Sequence, residues 1–135
     1  MRTVLIVDDD PDIRELMEFK LTQAGYAVHT AADGEAGFAA ACSIRPDVIL
    51  LDWMMPKLSG LEVCAQLRAA PELAGVGVIL LTAKSQEGDV QRGLAAGADD
   101  YIVKPFSPRE LVSRVESVLA RIARPGTVAV DARGE

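Results

Sequence analysis

Along nearly the whole chain, apolar runs of strand length alternate with stretches whose apolar residues recur at helical spacing. Val4-Leu5-Ile6-Val7 is the first run, and three aspartates close it. Asp10 predicts a helix N-cap with Pro11 at the first helical position. Ile13, Leu16, Met17, Lys20, Leu21 and Ala24 then fall on one face, with the stem of Lys20 laid along it. Gly25 predicts the stop. Tyr26 to Ala31 is a second strand, and Asp33-Gly34 opens an alanine-rich helix to about Cys42. Asp47 to Leu51, fully apolar after its first residue, suits a central parallel strand covered on both faces. A loop from Met54 to Gly60 leads into a helix over Leu61 to Ala69. Val78 to Leu81 is a fourth strand, and Gly88 to Ala96 a helix closed by Gly97. Tyr101 to Val103 is a short fifth strand. Ser107-Pro108-Arg109-Glu110 reads as a capping box. Behind it Leu111, Val112, Val115, Val118, Leu119 and Ile122 form one apolar stripe.

Five strands alternating with five helices predict an α/β, doubly wound parallel sheet. Right-handed crossovers narrow the topology to the flavodoxin-like strand order 2-1-3-4-5. The pattern decays at Arg124-Pro125-Gly126, so one domain over 1–123 and a tail or linker remnant over 124–135 are expected. A length of 135 residues suits a single domain with a buried core.

Composition narrows the function classes. A formal net charge of −6 argues against direct nucleic-acid binding by this chain, which needs a basic surface. No apolar stretch is long enough to span a bilayer, and the N-terminus lacks a signal-peptide pattern, so a cytoplasmic protein without membrane contact is expected. The two cysteines, Cys42 and Cys64, are not in a metal-ligand spacing and read as small hydrophobes on helices. His29 is the single histidine, so a catalytic histidine pair is excluded; it reads as an ordinary strand residue.

In an open parallel sheet, ligands bind beyond the carboxyl ends of the strands. Asp8, Asp9 and Asp10 follow the first strand, Asp52 the third, Thr82 the fourth and Lys104 the fifth. The first and third strands are neighbours in the expected order, so Asp8, Asp9 and Asp52 converge. Clustered carboxylates repel and raise one another's pKa, and a divalent cation relieves them. Carboxylates with waters and a phosphate oxygen suit Mg²⁺. Lys104 supplies a cation that can pair with carboxylate or phosphate, and Thr82 a hydroxyl donor. These parts suffice for phosphoryl transfer onto a carboxylate. Taken singly, Asp10 is better read as a helix cap, Asp8 or Asp9 as a loop acid, and Lys104 as surface charge. It is their joint placement at strand ends that favours a site.

The sequence resembles a response-regulator receiver domain of two-component signalling. The resemblance rests on Val7-Asp8-Asp9-Asp10, Leu51-Asp52-Trp53-Met54-Met55-Pro56, Leu58-Ser59-Gly60, Leu81-Thr82-Ala83, and Gly97-Ala98-Asp99-Asp100-Tyr101 leading to Lys104-Pro105-Phe106. It implies that Asp52 is the phosphoacceptor, and that Asp8 and Asp9 hold Mg²⁺ (or Mn²⁺ in its place), one directly and one largely through water. It adds the main-chain carbonyl of Met54 as a ligand, Thr82 and Lys104 as contacts to the phosphoryl group, and Tyr101 as an aromatic switch coupled to Thr82. The Lys104-Pro105 bond is expected to be cis. The implied donor is a sensor histidine kinase, a phosphotransfer protein or a small acyl phosphate. The implied output face is the fourth helix, fifth strand and fifth helix. On that face Arg92, Asp99, Asp100, Glu110, Arg114 and Arg121 resemble the dimer face of receivers joined to winged-helix DNA-binding domains, and equally suit a solvated helix surface. Trp53, Met54 and Lys84 flank the site. Met54 and Lys84 offer no acid or amide to orient water, which implies slow self-dephosphorylation.

Three rivals remain at this level. Asp8 and Asp10 have the aspartate-x-aspartate spacing of metal-dependent phosphohydrolases of the haloacid-dehalogenase type, a short motif that is weak alone. A flavodoxin-like electron carrier would need a hydroxyl-rich phosphate loop where three aspartates stand. A receiver-like interaction module that is never phosphorylated would lack site residues, and none is lost here. The receiver itself is expected to be a switch that assists its own phosphorylation and dephosphorylation, not a turnover enzyme.

Overall fold

The computed structural model describes residues 1–83 and 87–122. Its strands are β1 (Thr3–Val7), β2 (Ala27–Ala31), β3 (Val48–Asp52), β4 (Gly77–Thr82) and β5 (Asp100–Val103). Its α-helices are α1 (Pro11–Gln23), α2 (Gly34–Ile44), α3 (Gly60–Ala69), α4 (Glu87–Ala95) and α5 (Pro108–Ile122), with a short 3₁₀ turn at Pro71–Leu73. The strands form one parallel sheet in the order β2-β1-β3-β4-β5, as the alternation of elements predicts. The expected boundary at residue 123 and the tail 124–135 lie outside the described residues, as does Lys84.

The period of two along each strand builds two core layers. Val4, Ile6, Leu50, Ile79 and Leu81 pack with Met17 and Leu21 of α1 and with Leu111, Val115 and Val118 of α5. Leu5, Val7, Ile49, Leu51 and Leu80 pack on the other face with Ala41 of α2 and Val63 and Leu67 of α3. All five residues of β3 are buried, which is what a central strand covered on both faces requires.

The caps follow the local chemistry. Asp10 accepts the Asp12 and Ile13 N–H groups at 2.9 and 3.3 Å, and so caps α1. Gly25, at φ +100, takes the left-handed turn after that helix. A complete capping box stands at Ser59 and Glu62, so α3 is capped from a residue of the expected loop and starts at Gly60, one residue before the expected Leu61. Of the box expected at Ser107, the serine accepts the Glu110 N–H at 3.0 Å, while the Glu110 carboxylate turns to Arg114 at 3.6 Å.

Other expectations need adjusting. Leu16 is exposed, because α1 turns only Met17 and Leu21 fully inward. Cys42 is exposed while Cys64 is buried, so only the latter acts as a core hydrophobe; both are free thiols. The alanine-rich α2 runs on to Ile44, ending where Arg45 adopts φ 53. His29 is an exposed residue of β2.

Arg68 joins parts of the fold that the hydrophobic pattern leaves separate. Its guanidinium donates to the carbonyls of Gly97 and Ala74 at 2.9 and 2.8 Å and to that of Val76. It also pairs with Asp99 at 2.9 Å. One side chain on α3 thus ties the end of the α4 segment to the entries of β4 and β5. Gly97, at φ +109, keeps the space that Arg68 fills clear of a Cβ.

Candidate functional site

The register places the chemistry. Val7 pairs with Leu51, so Asp8 and Asp52 emerge side by side one step further on. Thr82 pairs with Val103, so Lys104 follows directly, its N–H donating to the Thr82 carbonyl at 2.7 Å. Each side chain stands at a strand's carboxyl end because the apolar run stops there.

Asp8, Asp9 and Asp52 can each present one carboxylate oxygen so that the three lie within 4.8 Å of one another. Asp8 is completely buried and Asp52 only 7% exposed, whereas Asp9 is open to solvent. Asp8 is fixed at every polar atom: its N–H donates to Ala31 at 3.2 Å, and its carbonyl accepts from Arg14 at 2.9 Å. One carboxylate oxygen accepts the Asp10 N–H at 2.9 Å, and the other faces Lys104 Nζ at 3.0 Å. Lys104 also reaches Asp52 at 3.3 Å, so one ammonium sits between two buried carboxylates. The Lys104-Pro105 bond is cis.

The electrostatics follow from this crowding. Burial, then the nearby charge of Asp8, pushes the Asp52 carboxyl up to about 7, against the opposing pull of Lys104. Burial alone would lower the Lys104 pKa. The hydrogen bond to Asp8 and the charges of Asp52 and Asp8 outweigh it, and the ammonium is held above its ordinary value. Two buried acids, a third at the rim and one cation leave negative charge in excess. A divalent ion with a preference for oxygen ligands fits that donor set, and the exposed edge at Asp9 gives it an approach.

The remaining expected residues are near but separate. Met54 stands two positions past Asp52 in the following loop and is exposed. Thr82, buried at the end of β4, lines a hollow with Trp53, Leu80, Gly93, Leu94 and Tyr101. Tyr101 is half-buried there. The charged residues of the expected dimer face largely engage partners within the chain. Asp99 accepts from Arg68 and from the Val78 N–H, both at 2.9 Å. Asp100 pairs with Arg114 at 3.0 Å, and Arg121 donates to the Asp99 carbonyl at 3.1 Å. Arg92 lies over the Trp53 ring, 5.8 Å from its centre. Two contributors were not singled out in the sequence. Arg14 carries no pattern that ties it to Asp8, and Trp53 was noted only as a flank of the site.

Comparison with known proteins places this geometry. The chain is 46% identical over 128 residues to the alkaline phosphatase synthesis transcriptional regulatory protein PhoP of Bacillus subtilis, covering 93% of this chain and 52% of that one. It is 46% identical over 120 residues to the phosphate regulon transcriptional regulatory protein PhoB of Pseudomonas aeruginosa, covering 89% and 52%. The chain therefore spans about half the length of the curated relatives it matches. Among solved structures, the chemotaxis response regulator CheY4 of Vibrio cholerae superposes with a TM-score of 0.84 at 37% identity, covering 87% of this chain and 98% of that one. The Francisella response regulator 1452 receiver domain gives 0.84 at 35%, covering 90% and 98%. The family model described as the response regulator receiver domain matches residues 4–116. With its sheet order, its acidic cluster and its lysine at the fifth strand end, this chain belongs to the response regulator receiver domain family.

Proposed function

We propose that the chain is a phosphorylation-dependent signalling switch with Asp52 as its phosphoacceptor and Mg²⁺, or Mn²⁺ in its place, as the ion at the acidic cluster. The observation that carries this reading is the single ammonium of Lys104 between Asp8 and Asp52, beside a third acid open to solvent. Asp9, exposed, suits direct ligation. Asp8, whose two carboxylate oxygens already serve Asp10 and Lys104, suits contact through water. The main-chain carbonyl of Met54 would complete the protein's share of ligands. When bound, the ion neutralises charge on the phosphoryl oxygens.

Asp52 then acts as nucleophile through a carboxylate oxygen, and Lys104 is placed to hold the incoming group as it holds the carboxylate. Thr82 would donate its hydroxyl to the same group. A phosphoryl group adds roughly two negative charges, which draws Thr82 and Lys104 inward and lets Tyr101 follow into the shared hollow. The chain thus assists its own phosphorylation and dephosphorylation and is not a turnover enzyme. Its donor would be a sensor histidine kinase or a phosphotransfer protein in the cytoplasm. Among the described residues, no helix is long and apolar enough to cross a membrane. The output face of α4, β5 and α5 would serve a phosphorylation-dependent homodimer through Arg92, Asp99, Asp100, Glu110, Arg114 and Arg121, whose mixed charges suit a self-complementary two-fold contact.

The phosphohydrolase rival is disfavoured by Asp10, whose carboxylate is spent capping α1. Metal binding tests the proposed ligands: Mg²⁺ should change the emission of Trp53 in a saturable titration. Asp9→Asn is expected to weaken the apparent affinity at least about tenfold, since it removes the one acid of the cluster that is open to solvent. Equal affinity in the variant would contradict Asp9 as a direct ligand.

A further inference from the structure

Trp53 is the residue after the proposed phosphoacceptor, and its main chain is held on both sides. Its N–H donates to the Leu81 carbonyl at 2.8 Å, and its own carbonyl accepts the Gly60 N–H at 3.0 Å. The backbone here is tied to the end of the sheet, so a shift of that end carries the base of the indole with it. Its ring does not stop at the sheet. A Cβ built on Gly93 of α4 would lie 3.2 Å from the indole Cζ3, so the absence of a side chain at Gly93 is what lets the ring lie this close to the helix. On the preceding residue of the helix, the Arg92 guanidinium lies over the ring at cation–π range. Leu80 of β4 closes the contact from below, 2.6 Å from the same Cβ position. Thr82 and Tyr101 line the same hollow.

We infer that Trp53 is a positioning residue for α4, its indole coupling the strand end that bears Asp52 to Gly93 and Arg92. The inference rests on the switch proposed above. It adds a contact to α4 that passes through neither Thr82 nor Tyr101. A glycine at the contact makes it steep: the helix offers no side chain there to absorb a shift of the ring, and Leu80 already fills the space beside it. The cation–π contact makes it specific for an aromatic residue. Because Arg92 is also a member of the expected dimer face, a displaced indole would re-aim a charge on the output surface.

Amide hydrogen exchange across residues 91–97 tests this, measured with and without acetyl phosphate and Mg²⁺, with the phosphorylated fraction read by intact mass. At equal phosphorylated fraction, the wild type should show a change in exchange of about threefold or more. Trp53→Leu should gain the phosphoryl mass yet show less than about a third of that change, and Trp53→Phe should keep more of it than Trp53→Leu. A full response in Trp53→Leu overturns the inference while leaving the switch intact. So does Trp53→Phe behaving no better than Trp53→Leu. Should Trp53→Leu not fold, Arg92→Gln on the exposed helix surface carries the test: a halved response supports the coupling, and an unchanged one overturns it. A wild type that gains no phosphoryl mass overturns the switch itself, and the inference falls with it.

Discussion

With divalent metal chelated, Asp52→Asn should make the protein more stable at pH 8 by about 2 kcal/mol, although it removes the proposed phosphoacceptor. The folded state raises this carboxyl from 3.8 to about 7, chiefly by burial and by the charge of Asp8. Below 3.8 the group is protonated in folded and unfolded chains alike and contributes nothing to the difference. As pH rises from 3.8 toward 7, the unfolded carboxyl ionises while the folded one holds its proton, so the folded state is increasingly disfavoured. Above 7 the penalty is complete. A shift of this size, already net of the attraction to Lys104, corresponds to about 4 kcal/mol, and relaxation of the buried site around the ionised carboxylate brings the expected gain down to about half of that. Urea unfolding in chelator at pH 5 and pH 8 measures it. The gain should be larger at pH 8. A gain that is absent or the same at both pH values would show that Asp52 is not strained by its neighbours.

The opposite sign is expected at Lys104. Lys104→Met keeps an apolar stem and removes the ammonium that faces Asp8 at 3.0 Å and Asp52 at 3.3 Å. Taking one partner from a buried ion pair costs about 3–5 kcal/mol. Here the loss should fall near the low end, about 3 kcal/mol at pH 8 in chelator, because Asp52 can take up a proton when its cation goes. At pH 5, where Asp52 is already protonated in the fold, the loss should shrink, leaving mainly the contact with Asp8. Mg²⁺ should restore part of it by supplying the missing positive charge. The two substitutions should not be additive. Asp52→Asn removes one of the charges that Lys104→Met leaves uncompensated, so the double variant should be more stable than the sum predicts by about 1 kcal/mol or more. Strict additivity would mean that Lys104 does not serve both carboxylates.

Much of this was legible in the amino-acid pattern for physical reasons. Continuous apolar runs at Val4–Val7 and Val48–Leu51 call for cover on both faces, and the amphipathic helices that alternate with them supply it on a parallel sheet. Once that sheet is assumed, Asp8, Asp52, Thr82 and Lys104 must stand along one edge, because each follows the last apolar residue of its strand. Asp10 reads as a helix cap because Pro11 marks the start of a helix that needs one, and it does cap α1. What escaped lies in contacts that sequence spacing does not encode. Arg68 reaches Ala74, Val76, Gly97 and Asp99 across segments up to 31 positions away. The exposure of Leu16 depends on which part of the α1 face the sheet covers, and a helical period cannot say that. The approach of Gly93 to Trp53 needs α4 placed beside the segment that follows β3, which is a tertiary fact. The capping box at Ser59 is an exception, since a serine followed three residues on by glutamate is a pattern that sequence does encode.

The proposed switch stands on Asp52 receiving a phosphoryl group in a metal-dependent site. Intact mass after incubation with acetyl phosphate and Mg²⁺ tests it most directly, on the wild type, on Asp52→Ala, and on the wild type with chelator in place of metal. A gain of one phosphoryl group is expected in the wild type with Mg²⁺ and none in the other two. A gain that persists in Asp52→Ala, or one that is indifferent to chelator, would contradict it.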